Sequence, residues 1–221
     1  MSPASPDHSA DPVLLLHGLG RTRRSMQWLA RQVERAGFRT VNESYPSTCH
    51  PIGTLVDDHV RPLFEAAHVD GRPVHAVTHS LGGILVRAYA ERYGLPDGSR
   101  VVMLAPPNAG SPVADLLRER WPFTAWCGPA LRELGTGPGS VPRRLGPVGF
   151  ALGVVAGERN LFPFGRTLGG ASDGLVAVDS AKVEGMADFV VVPAGHSLIM
   201  RRRIVAEHVV HFLRQGRFES G

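Results

Sequence analysis

Ser80 stands at the turn of Thr78-His79-Ser80-Leu81-Gly82-Gly83, between the apolar run Val74, Ala76, Val77 and a helical stretch that begins at Leu81. A serine hydroxyl is a poor nucleophile until a base takes its proton. A strand-turn-helix with serine at its apex is the layout that holds such a hydroxyl clear of a sheet. The turn strains the serine backbone, and the following helix aims its positive N-terminal end at the reacting centre. Small residues past the serine let that helix pack close to the strand. The geometry suits acyl transfer, in which an oxyanion develops beside the nucleophile. A Ser-x-Gly triplet also arises by chance in a chain with 26 glycines, and an ordinary strand-to-helix turn reads the same way. The assignment therefore depends on whether the remaining chemistry is present.

An activated serine needs a base, an acid that orients the base, and two N–H donors for the oxyanion. Where the nucleophile sits on such a turn the order along the chain is serine, acid, histidine, which places the base near the C-terminus. His196 follows the apolar strand Phe189-Val190-Val191-Val192 on Pro193-Ala194-Gly195-His196-Ser197 and precedes an amphipathic helix. His208 and His211 fall inside that helix, where a lone histidine is ordinarily surface or packing. Asp173 is the candidate acid: it heads an Asp-Gly turn after the strand Phe150–Ala156, with Gly174 supplying the conformational freedom. Glu158, Asp179 and Asp188 compete for that role. Upstream, Pro12–Leu16 is a continuous apolar run of the kind buried parallel strands show, and it ends in His17-Gly18-Leu19-Gly20. The backbone amides of Leu19 and Leu81 are the expected oxyanion donors, each worth roughly 3 to 4 kcal/mol. His17 is expected to shape that loop, not to act as the base.

With these residues in place the chain resembles the α/β-hydrolase family, and within it the small bacterial lipases and esterases that lack a large cap domain. The resemblance runs from about Val13 to Phe218. It implies a catalytic Ser80, Asp173 and His196, an oxyanion hole at Leu19 and Leu81, and no cofactor or metal. The implied activity is hydrolysis of small-molecule or lipid carboxylic esters through an acyl-enzyme on Ser80. Thioester cleavage or acyl transfer would use the same triad, and a non-catalytic binding protein on the same fold is the alternative of another class. One departure stands out: the usual glycine two residues before the nucleophile is Thr78 here. Some small lipases carry alanine there and related sequences tolerate threonine, yet a β-branched residue crowds the turn.

To hold this constellation the chain must alternate strands and helices. The expected fold class is α/β, with a mostly parallel sheet of about six strands covered by helices on both faces. Strands are predicted near 13–17, 38–44, 73–78, 100–105, 150–156 and 188–193, and helices over 23–36, 52–68, 81–93 and 199–214. All three catalytic candidates follow strand ends, the edge at which such sheets bind ligands. Residues 1–10, rich in Pro, Ser and Ala, read as a disordered tail, and 11–221 as one domain. Between 106 and 148 the alternation gives way to a Pro- and Gly-dense excursion, expected to form a lid or acyl-pocket wall. Trp121 and Trp126 within it are the candidates for contact with an acyl chain.

A chain of 221 residues buries roughly 70% of its unfolded surface without disulfide or metal staples. Cys49 and Cys127 lack metal-ligand spacing and read as free thiols. No run is long and apolar enough to cross a membrane, and no signal-peptide pattern is seen, so a cytoplasmic location is expected unless the N-terminus was trimmed. The formal net charge is +4, and Lys182 is the only lysine. No helix-turn-helix, zinc-finger or aromatic RNA-binding motif accompanies the basic residues, which argues against a nucleic-acid partner. Arg21, Arg23, Arg24, Arg143, Arg144, Arg166 and Arg201–Arg203 all fall near the catalytic edge. They suggest a cationic rim able to attract anionic substrates or transient contact with lipid surfaces.

Overall fold

In the computed structural model, residues 10–69, 71–118, 120, 123–160 and 168–219 are described. Of the expected tail, only residue 10 lies within them. Six strands among these residues form one all-parallel sheet: β1 (Pro12–Leu16), β2 (Arg39–Val41), β3 (His75–His79), β4 (Arg100–Leu104), β5 (Ala151–Gly157) and β6 (Asp188–Val192). Their spatial order is β2-β1-β3-β4-β5-β6. The chain leaves β1 toward β2 on one side and returns to β3 on the other. The strand order therefore reverses between β1 and β3, whose carboxyl ends are where such sheets place ligands.

Side-chain alternation along the buried strands builds two cores. Val13, Leu15, Val77, Val102 and Val155 face α1 (Gln27–Arg35) and α9 (Arg203–Gln215), meeting Leu29, Val33, Val209 and Phe212. Leu14, Leu16, Ala76, Val101 and Val154 face the opposite layer, with Phe64, Ile84 and Leu85. That layer comprises α2 (Ile52–Leu55), α3 (Arg61–Ala67) and α4 (Leu81–Tyr93). The sheet is thus covered on both faces, as the apolar runs predict.

The helix predicted over 52–68 differs in detail. A π-helical turn (Val56–Val60) separates α2 from α3, because Pro62 in the first turn of α3 has no N–H to continue the ladder. The strand predicted over 38–44 is only three residues long, at the sheet edge. Within the excursion, α5 (Pro112–Leu117), α6 (Phe123–Glu133) and α7 (Val141–Arg144) are helical. Pro112 and Pro142 occupy first turns, where a missing N–H costs nothing, and Ser111 Oγ accepts the Ala114 N–H at 3.4 Å. Gly128, at φ 72, breaks α6 before Pro129; a Cβ there would lie 1.7 Å from the Thr48 carbonyl oxygen. Cys49 is exposed and Cys127 buried, both as free thiols. A further short helix, α8 (Val178–Ala181), follows the candidate acid.

Both ends of the excursion are held by one buried cation. Arg87 of α4 donates to the Asn108 carbonyl and Oδ1 at 3.0 and 3.2 Å, and to the Leu145 and Gly146 carbonyls at 2.9 and 3.0 Å. Burial pulls its pKa down to about 10, so it remains charged at neutral pH. Replacing Arg87 with Leu strands these acceptors. It is expected to cost about 3 kcal/mol, read as a lower urea midpoint at unchanged m-value. A midpoint equal to that of the wild type would show that the clamp contributes no net stability.

Candidate active site

Ser80 occupies the junction of β3 and α4 with φ 53 and ψ −119. A non-glycine residue at such φ costs on the order of 1–3 kcal/mol and is held only by its surroundings. Here the Ser80 N–H donates to the Leu104 carbonyl at 2.9 Å, and the Gly83 N–H donates to the Ser80 carbonyl at 2.9 Å. Ala105, one strand over, is strained likewise at φ 49. The turn thus has the strained conformation that the Thr78–Gly83 pattern predicts.

Two close approaches join this turn to the loop after β1. A Cβ on Gly82 would lie 2.6 Å from the Leu16 carbonyl oxygen, and one on Gly18 would lie 3.2 Å from Ser80 Cβ. The Leu19 and Leu81 amides therefore belong to segments in van der Waals contact around Ser80. His17 fixes the β1 loop from beneath. Its ring stacks on Tyr45 at 4.1 Å, Nδ1 donates to the Gly18 carbonyl at 2.9 Å, and Nε2 accepts the Tyr45 N–H at 3.2 Å. The Tyr45 hydroxyl donates to the His17 carbonyl. Both ring nitrogens are consumed by a neutral imidazole, and burial lowers its pKa. His17 shapes the loop, as the sequence suggests.

Asp173 and His196 meet. His196 Nδ1 donates to Asp173 Oδ2 at 2.7 Å, and the aspartate is only 1% exposed. Asp173 Oδ1 accepts the Leu175 and Val176 N–H groups at 2.9 and 2.8 Å, a turn that depends on Gly174 at φ 100. With Nδ1 occupied, Nε2 is left as the proton acceptor. The competing carboxylates are engaged elsewhere: Asp179 pairs with Lys182, Asp188 accepts the Phe189 and Phe218 amides, and Glu158 is exposed. His211 Nδ1 donates to the Arg217 carbonyl, away from this cluster.

Sequence reasoning missed the residue that ties the two halves together. The His79 ring lies 4.8 Å from that of His196, and His79 Nε2 donates to the His196 carbonyl at 3.0 Å. Nδ1 is buried without a partner among the described residues. Burial first, then the charges of His196 and Arg21, hold the His79 pKa well below the ordinary imidazole value. His79 adjoins Ser80 in sequence, so it fastens the base-bearing loop to the serine turn. Ser80 Oγ itself makes no hydrogen bond with a described residue. Gly157 was missed as well: a Cβ there would lie 2.4 Å from the Ala194 carbonyl oxygen and 2.9 Å from Asp173 Cβ, so its absence lets the acid and base loops close on each other. Its only sequence signal is the glycine at a strand's carboxyl end.

Thr78 is fully buried, and its Oγ1 has no partner among the described residues. The space it needs lies beside Gly83, where a Cβ would stand 3.3 Å from Oγ1. Of the proposed acyl contacts, Trp126 lies on α6 with 71% of its surface exposed, whereas Trp121 and Arg166 lie outside the described residues. The excursion touches the acid turn through Ser111 Oγ, which donates to the Leu175 carbonyl at 2.9 Å. Among the described residues no His, Cys, Asp or Glu group could hold a metal ion, and no helix is long and apolar enough to cross a membrane.

Among solved structures the chain is similar to a lipase from Bacillus licheniformis. Against its propeptide form the identity is 20% and the TM-score 0.68, over 89% of this chain and 48% of that one. Against its mature form they are 20% and 0.63, over 90% of each. An esterase from Exiguobacterium antarcticum aligns at 14% identity and a TM-score of 0.66, over 93% and 92% of the two chains. Phospholipase PlaB from Legionella pneumophila aligns at 21% and 0.60, over 78% of this chain and 46% of that one. The chain thus spans about half the length of the propeptide-bearing lipase and of the phospholipase. No protein-family model and no curated protein matches it. Identities this low speak to architecture. Sheet order, the strained serine turn and these counterparts together give this chain the α/β-hydrolase fold.

Proposed function

We propose that the protein is a serine hydrolase that cleaves carboxylic esters through an acyl-enzyme on Ser80. The buried Asp173–His196 pair, held beside the strained Ser80 turn by the His79–His196 bond, carries this reading. The lipase and esterase counterparts support it.

In the mechanism, His196 Nε2 takes the Ser80 proton as Oγ bonds to the ester carbonyl carbon. Asp173 keeps the imidazole in the required tautomer and stabilises the imidazolium. The amides of Leu19 and Leu81 donate to the oxyanion. Collapse of the tetrahedral intermediate breaks the carbon–oxygen bond to the alcohol, which leaves with the proton from His196. Water then attacks the acyl-enzyme with His196 again as base, releasing the acid and restoring Ser80. His79 acts as a positioning residue, and because burial keeps it neutral it adds no charge beside His196.

A fluorophosphonate probe tests this directly. Labelling of the folded protein is expected at one site, Ser80, identified by peptide mass. Failure to label, or labelling of another serine, would sink the proposal. A series of chromogenic esters from acetyl to palmitoyl, run beside a thioester, then sets the acyl length and leaving group.

A further inference from the structure

The excursion and the acid turn meet on one peptide group, that between Leu175 and Val176. Its carbonyl oxygen accepts the Ser111 hydroxyl at 2.9 Å, and its N–H donates to Asp173 Oδ1 at 2.8 Å. A trans peptide directs its C=O and N–H to opposite sides, so Ser111 grips one side and the Asp173 carboxylate the other. Rotating this peptide out of place would break both bonds. The second carboxylate oxygen, Oδ2, is the one that accepts the His196 Nδ1–H at 2.7 Å. A connected path of hydrogen bonds therefore leads from an excursion hydroxyl to the imidazole. Bonds in such a path polarise and strengthen one another.

Ser111 presents its hydroxyl from a segment fixed on two sides. On the excursion side its own N–H donates to the Leu134 carbonyl, just past α6, at 2.9 Å. Gly110, at φ 87, permits this approach: a Cβ there would lie 2.2 Å from the Gly135 carbonyl oxygen. On the other side the Ala109 N–H donates to the Ser180 carbonyl at 2.9 Å, and the Ser180 hydroxyl donates to the Gly110 carbonyl. Asn108 Nδ2 adds a bond to the Ala181 carbonyl at 2.8 Å. Ser111 also caps α5 by accepting the Ala114 N–H, but at 3.4 Å. The shorter of its two hydroxyl bonds goes to the acid turn, not to the helix it caps. Because Ser111 is buried, water is a poor substitute for that hydroxyl.

We propose that Ser111 is a positioning residue: by fixing the Leu175–Val176 peptide it holds the Asp173 carboxylate in the orientation that His196 requires. This rests on the ester-hydrolase reading and extends the machinery behind the base into the excursion. Ser111 acts only through Asp173, and its proton stays on its own oxygen throughout. Its contribution is to the transition state, in which the imidazolium must be oriented and stabilised.

The test measures kcat and KM on 4-nitrophenyl butyrate for Ser111→Ala, Ser111→Gly and Ser111→Thr. Alanine and glycine are each expected to lower kcat by about ten-fold at unchanged KM, the scale of one lost hydrogen bond felt in the transition state. Threonine, which keeps the donor, is expected to restore most of it. Glycine separates the donor from the cap, since an N-cap position tolerates glycine far better than alanine. Full activity in the glycine variant beside a loss in alanine would make capping the cause and overturn the proposal. In an Asp173→Ala background, where no carboxylate remains to be held, Ser111→Ala is expected to cause no further loss. An equal loss in both backgrounds would show that Ser111 does not act through Asp173. A readout independent of turnover is the low-field proton NMR resonance of the His196 Nδ1–H, assigned by its disappearance in Asp173→Ala. It is expected to shift in the alanine and glycine variants and not in threonine. If both kcat and the resonance are unmoved by alanine and glycine, the positioning role is wrong and ester hydrolysis stands. If the wild type turns over no ester while the resonance shifts as expected, the hydrolase reading is wrong and the coupling of Ser111 to Asp173 stands.

Discussion

Replacing Ser80 with alanine is expected to lower ester turnover by about 10⁶-fold, and replacing His196 with alanine by a similar factor, with the double variant losing no more. The non-additivity follows from the geometry. His196 supplies a lone pair useful only to the Ser80 hydroxyl, and the hydroxyl is a nucleophile only while that lone pair is present. Activity left in either variant comes from the amides of Leu19 and Leu81 and from substrate binding. Asp173→Asn is the sharper case. An asparagine carbonyl can still accept the Leu175 and Val176 N–H groups, so the turn is preserved. Its amide NH₂, however, would face His196 Nδ1, where a carboxylate oxygen now accepts at 2.7 Å. The imidazole would turn to the other tautomer and present an N–H toward Ser80. A loss of about 10⁴-fold is expected with the fold intact. Steady-state rates on one short ester, with circular dichroism on each variant, would check it. An asparagine variant retaining a tenth of wild-type turnover would mean that Asp173 does not orient the base.

Which parts of this were legible in the sequence depends on the range of the interactions. Ser80, Asp173 and His196 were marked by local patterns, each on a loop at the carboxyl end of an apolar strand. The buried strands were marked by continuous apolar runs, and their ends hold to within a few residues. Pro62 announces its own effect, but the helical periodicity around it hides the π turn. In the excursion, the density of proline and glycine suggests irregular chain. In fact Pro112 and Pro142 begin helices and Gly128 breaks one. His79 and Gly157 escaped because their roles exist only in three dimensions: His79 bonds a carbonyl 117 residues away. Arg87 shows the same limit, since a buried arginine on the helix after Ser80 looks like any surface charge until its four carbonyl acceptors are placed.

Acid is expected to destabilise this protein well before its carboxylates are protonated. His17, His75 and His79 are buried, and burial is the leading cause holding each pKa below the ordinary value. Their contacts explain why the proton is unwelcome. His17 Nε2 accepts the Tyr45 N–H, His75 Nδ1 accepts the Arg100 N–H at 3.0 Å, and His79 Nδ1 is buried against Gly18, where a Cβ would stand 2.8 Å away. Surrounding charges do not reverse the sign. Arg21 opposes protonation of His17 and His79, and at His75 the favourable Asp11 is outweighed by burial, with Arg100 also opposing. In the unfolded chain each imidazole takes its proton near pH 6.5. Below that value the unfolded state binds more protons than the folded one, so stability falls as pH falls, whereas above it the three contribute no slope. The slope approaches about 1.4 kcal/mol per pH unit for each histidine. Urea midpoints at pH 7.5, 6.5 and 5.5 would read it, and His75→Gln, whose amide oxygen can still accept the Arg100 N–H, is expected to flatten it. A midpoint constant across that range would contradict the burial of these rings. Since His17 shapes the oxyanion loop and His79 holds the His196 carbonyl, the same protonations that unfold the chain loosen both sides of the Ser80 turn. Turnover is therefore expected to fail at a pH no lower than the one at which the fold does.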